Sequence, residues 1–88
     1  MKKIAVIVRD RTEQALRMAL GLTLMDDRVD IYMAYGGPEK TEINTMNLEM
    51  LKAMKTGLYS LKQVNGFKNI GFSDFAKAIL EYDEIIPY

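Results

Sequence analysis

The stretch Lys3-Ile4-Ala5-Val6-Ile7-Val8, followed by Arg9-Asp10-Arg11-Thr12 and then by Glu13 to Met25, decides the fold. The unbroken apolar run Ile4 to Val8 suits a strand covered on both faces, in the middle of a parallel sheet. A charged corner and a helix-spaced segment follow it, which is the opening half of a βαβ unit. Asp10 or Thr12 is expected to cap this helix, because Asp10 and Glu13 have capping-box spacing. Glu13 and Arg17 add an i,i+4 pair.

Within the first helix, Leu16, Leu20 and Leu24 with Ala15 and Ala19 form the face expected to pack on the sheet. Met18, Leu22 and Met25 fall outside that face and leave the helix apolar nearly all round. Two readings stand side by side: these three residues form a subunit interface, or they are tolerated surface apolar residues.

Downstream, Val29, Ile31, Met33 and Tyr35 alternate with Asp30, Tyr32 and Ala34, the pattern of a one-sided strand nearer a sheet edge. Gly36-Gly37-Pro38 ends it, and Asn44 or Thr45 is the expected cap of a second helix closed by Gly57. Met46, Met50 and Met54 with Leu51 share one side of this helix and read as core filler, with an adaptable groove as the alternative. Leu58 to Val64 reads as strand 3, and Phe67 to Phe72 as an ordered loop. A third helix capped by Ser73 is expected to turn Phe75, Ala76, Ile79 and Leu80 inward. Ile85-Ile86 then forms a last strand.

This order calls for a single α/β domain over residues 1–88, with three helices and a four-stranded parallel sheet. A chain reversal after strand 2 predicts the order 2-1-3-4, with helix 1 on one face and helices 2 and 3 on the other. An apolar strip beside helix 1 would then remain uncovered, and a second subunit is its simplest cover.

Composition narrows function by exclusion. Cys and His are both absent, which removes disulfides, thiolate metal sites, thiol catalysis and imidazole acid–base chemistry. Twelve basic residues balance twelve acidic ones, so nucleic acid or an anionic membrane would need a local patch to bind, and neither is an expected partner. No apolar run is long enough to span a bilayer and Met-Lys-Lys leads straight into a strand, so a cytoplasmic location is expected.

The segments Lys3-Ile4-Ala5-Val6-Ile7-Val8 and Glu13-Gln14-Ala15-Leu16-Arg17-Met18-Ala19-Leu20-Gly21-Leu22 resemble the DsrE/DsrF side of the DsrE/F/H-like superfamily. Gly71-Phe72-Ser73-Asp74-Phe75, running to Tyr82-Asp83-Glu84-Ile85-Ile86, resembles the close of the DsrH type. That superfamily includes sulfur-relay subunits of tRNA thiolation and dissimilatory sulfur oxidation. The resemblance implies a three-layer flavodoxin-like sandwich that assembles as dimers, trimers or hexamers, alone or with related subunits. Sulfur-carrying members place a reactive Cys just after the third strand, around Gln63-Val64-Asn65-Gly66 here, and this chain has none. Without the thiolate nucleophile it cannot carry a persulfide itself. The role that remains on this resemblance is a non-catalytic scaffold or accessory subunit without a cofactor.

The alternative is a small-ligand or anion-binding module. In open α/β sheets ligands bind beyond the C-terminal strand ends, which here gathers Arg9, Asp10, Arg11 and Thr12 with Tyr35, Gly36 and Gly37 and with Asn65, Gly66 and Phe67. The first helix N-terminus, with Arg9 or Arg11 beside it, suits a phosphate, sulfate or carboxylate. A solvated corner with Asp10 paired to an arginine is the plainer reading. Gly36-Gly37-Pro38 lacks the spacing of a dinucleotide or phosphate loop, and an enzyme built on Asp10, Lys62 or a tyrosine would rest on generic residue types alone.

Overall fold

A computed structural model describes all residues, Met1–Tyr88. The elements run β1 (Lys3–Val8), α1 (Thr12–Leu24), β2 (Arg28–Met33), α2 (Glu42–Ala53), β3 (Gly57–Ser60), β4 (Lys68–Asn69), α3 (Phe72–Ile79) and β5 (Glu84–Pro87). All five strands lie in one parallel sheet of order β4-β3-β2-β1-β5. The α/β class, the parallel sheet and the three helices agree with expectation, whereas the strand number and the order 2-1-3-4 do not. The extra strand is the two-residue β4, formed inside the segment expected to be a loop.

The order differs because β3 joins β2, not β1. Tyr59 of β3 stacks on Tyr32 of β2 with ring centroids 4.9 Å apart, and the Gly57 N–H donates to Asp30 Oδ1 at 3.0 Å. On the other side of β1, the Lys3 N–H donates to Asp83 Oδ2 at 2.8 Å and fixes the start of β5. The middle strand is therefore β2, and its apparent edge character was the alternation of Asp30 and Tyr32, both buried.

Because β1, β2 and β3 advance in one direction, right-handed crossovers put α1 and α2 on the same face. There Ala15, Leu16, Ala19, Leu20 and Leu51 close on Ile4, Val6, Val8, Val29, Ile31 and Leu58. The chain then crosses back from β4 to β5, which carries α3 to the opposite face, where Phe75 meets Tyr32 edge-on at 5.2 Å. Helix α3 buries none of its residues fully; Ala76 and Leu80, expected inside, are exposed.

Helix ends also depart from expectation. The α1 N-cap residue is Arg11, without a side-chain cap, so neither Asp10 nor Thr12 caps it. The Thr41 side chain caps α2 by accepting the Asn44 N–H at 3.1 Å, one turn earlier than the Asn44 or Thr45 cap expected. Gly71, not Ser73, is the N-cap residue of α3. The left-handed residue after α2 is Lys55, with φ of 62°, and Gly57 already belongs to β3. Gly57 is required by crowding, since a Cβ there would sit 2.5 Å from Asp30 Oδ1 and 2.7 Å from the Tyr59 ring.

Candidate functional site

At the C-terminal edge of the sheet, α1 and α2 start side by side. Two cavities of about 210 Å³ each open there, and Glu39 contributes to both. The first is closed by apolar groups, Pro38, Leu48, Val64 and Phe67, with Lys40 and Asn65 at its polar side. The loops that form it interlock, because Val64 lies so close to Gly37 that a Cβ there would be 2.6 Å from Val64 Cγ1. The second is wholly polar, with Asp10, Glu13, Glu39, Thr12, Thr41 and Asn44 in its wall.

Of the residues expected at an anion site, the structure thus splits the set. Asp10 and Thr12 line the polar cavity, and Asn65 and Phe67 line the apolar one. Arg9, Arg11, Tyr35, Gly36, Gly37 and Gly66 line neither. The two backbone N–H groups just ahead of α1, those of Asp10 and Arg11, donate to the backbone oxygen of Tyr88, both at 3.4 Å. Asp10 forms no ion pair, so the expected Asp10–arginine pairing is absent as well; Arg17 pairs with Glu13 at 3.1 Å. A wall with three carboxylates and no basic residue repels an anion. Asp10, Glu13 and Glu39 do not converge into a metal-holding cluster.

Asn44 is the residue of this region that sequence reasoning assigned only to a cap. It is 4% exposed, its Nδ2 donates to the Glu39 carbonyl at 3.0 Å, and its Oδ1 is buried without a donor. A polar residue on the inward side of an amphipathic helix was the signal available for it.

A second polar constellation lies toward the N-terminal ends of the strands. Asp30 is buried; Oδ2 accepts from the Tyr82 hydroxyl at 2.6 Å, and Oδ1 accepts from Gly57 N at 3.0 Å and Arg28 Nε at 3.4 Å. The Tyr32 and Tyr82 hydroxyls are 2.7 Å apart. Burial first, then the hydrogen bonds to Asp30 and Tyr32 and the nearby carboxylate charge, push the Tyr82 phenol well above its ordinary range. Burial also raises Tyr32, only partly offset by its bond to Tyr82. Neither cavity reaches these groups, which fasten β2, β3 and the segment before β5 together.

Of the three residues expected at an interface, Met18 in α1 and Met25 at its C-cap are exposed, whereas Leu22 is half-buried against the core. Leu24, assigned to the core by its spacing with Leu16 and Leu20, is 71% exposed. On α2, Met46 and Met50 are about half exposed together with Ile43, so the core-filler reading holds for neither methionine, while Met54 does pack against the core. Phe72 and Leu80 extend the same character to α3.

Fold and surface define a small parallel α/β protein with apolar residues displayed on all three helices. No protein-family model matches the chain, and neither the curated proteins nor the solved structures include a significant match. No helix is long and apolar enough to cross a membrane.

Proposed function

We propose that this chain is a non-catalytic subunit that works by association, a DsrE-like scaffold or accessory protein linked to intracellular sulfur transfer in the cytoplasm. The observation that carries the reading is the display of Met18, Leu24, Met25, Ile43, Met46 and Met50 at the surface of α1 and α2. Apolar side chains so numerous on the outer side of one helical layer are better covered than hydrated. The sulfur-transfer assignment rests on the sequence resemblance, and the missing Cys makes the chain a partner of a sulfur carrier, not the carrier. Light scattering at micromolar concentration tests it: a dimer, trimer or hexamer is expected, and a monomer at every concentration overturns it.

A second reading, a small-ligand module, is favoured by the paired cavities that share Glu39. The carboxylate-rich wall turns this reading away from anions and toward ligands with hydrogen-bond donors. Thermal-shift screening with Glu39→Gln as the control separates it from association, since a ligand of this site loses its shift in that variant.

A further inference from the structure

The chain is neutral overall, yet its charge is sorted between the two edges of the sheet. From Met50 to Ser73 there are four lysines, Lys52, Lys55, Lys62 and Lys68, and no Asp or Glu. All four are exposed, and none takes part in an ion pair. They surround the β3–β4 edge: Lys55 precedes β3, Lys62 follows it and Lys68 opens β4. Lys52 reaches across from α2, its Nζ 3.5 Å from where a Cβ on Gly66 would be.

The opposite edge is acidic. Glu81, Asp83 and Glu84 lead into β5, and Asp26 and Asp27 sit in the α1–β2 turn, tied to the same corner through the Lys2 N–H, which donates to Asp27 Oδ1 at 3.2 Å. The basic groups beside them are engaged, Lys2 with Glu84 at 3.6 Å, Lys3 over the Tyr82 ring at 4.9 Å and Arg28 with Asp30 at 3.4 Å. A lysine on an edge strand also discourages indiscriminate strand addition, which accounts for Lys68 but not for Lys52, Lys55 and Lys62, nor for the acidic counterpart.

We infer that the basic β3–β4 edge docks on the acidic β5 corner of a second copy of this chain, head to tail. The proposal deepens the association reading above, on which it rests. Two different, complementary patches on one molecule make a heterologous contact, which closes into a ring or runs on as a filament, unlike a twofold pairing of the apolar helix faces. Charge complementarity of this kind sets register and speeds encounter, and it is screened by salt.

Sedimentation of the full chain at about 0.05 M and about 0.5 M salt, where the Debye length falls several-fold, provides the first measurement. The second uses two charge-reversed variants, Lys62→Glu/Lys68→Glu and Glu81→Lys/Glu84→Lys, each checked for its fold by circular dichroism. The expected result is an oligomer that dissociates at high salt, at least tenfold weaker association of either variant alone, and recovery in a 1:1 mixture of the two. An oligomer indifferent to salt and to both reversals overturns the edge contact and leaves the association reading standing on the apolar faces. A wild-type monomer at low salt overturns both. Retention on heparin without self-association assigns the lysine edge to a polyanion and overturns a second copy as its partner.

Discussion

The Tyr82 hydroxyl donates a 2.6 Å hydrogen bond to Asp30 Oδ2 across 52 positions of sequence. Its other oxygen holds the first N–H of β3, so one carboxylate joins β2, β3 and the segment that turns α3 into β5. Removing the donor leaves a buried acceptor unpaired, which costs more than the bond itself is worth. Tyr82→Phe is expected to destabilise the fold by about 1–3 kcal/mol, and Tyr32→Phe, which spares the bond to Asp30, by about 1 kcal/mol. Urea denaturation of the three proteins checks the ranking; equal stability of Tyr82→Phe and wild type would refute the role given to Asp30.

The same contact makes the fold sensitive to alkali. Tyr32 and Tyr82 both have their phenol ionisation raised, chiefly by burial. A raised folded-state value means that the native state holds the proton longer than the unfolded chain does. Its stabilisation is complete below the ordinary tyrosine value of about 10 and is lost as pH rises beyond it. The tyrosinate absorbance of these two rings should therefore appear only as the chain unfolds, which Tyr32→Phe and Tyr82→Phe difference titrations read out. Ionisation of either ring with circular dichroism unchanged would contradict this.

Gly57 gives an independent probe of the β2–β3 junction. A methyl group there meets the carboxylate of Asp30 at 2.5 Å and the Tyr59 ring at 2.7 Å, both part of packed structure. Overpacking of this kind typically costs about 1–3 kcal/mol, so Gly57→Ala should lower the urea midpoint despite the β-strand context. Gly21→Ala is the control: nothing lies within 4 Å of its Cβ position, and it sits inside α1, where Ala is favoured over Gly by about 1 kcal/mol.

Apart from β4, the succession of strands and helices was legible because β1, α1 and β2 carry apolar patterns strong enough to survive without context. Their neighbours in the sheet were not, because pairing depends on contacts between distant side chains. Asp30 and Tyr32 illustrate the limit: alternation with Val29 and Ile31 signals a solvent face, and only Tyr82, Tyr59 and Phe75 convert that face into an interior one. At the candidate site, the grouping of the β1–α1 corner with the loop after β3 was readable from topology. The division into a carboxylate-lined and an apolar cavity was not, since Glu39 and Asn44 become wall residues only when Thr41 starts α2 early.

Helix α2 separates two kinds of apolar residue that sequence spacing placed together. Leu51 is fully buried in the core cluster, whereas Met46 and Met50, one turn apart, are about half in solvent. Leu51→Ala opens a void in that cluster and costs about 2–5 kcal/mol. Met46→Lys and Met50→Lys, on the outer side, should change stability by no more than about 0.5 kcal/mol each. Their effect on association depends on which surface makes the oligomer. With an apolar helical contact, a buried lysine breaks it, and light scattering shows a smaller species at any salt concentration. With the edge-to-edge contact, both substitutions leave the mass unchanged, since neither methionine lies at the lysine edge or the acidic corner. A large loss of stability in either lysine variant would return the methionines to the core and remove the exposed surface on which the association reading depends.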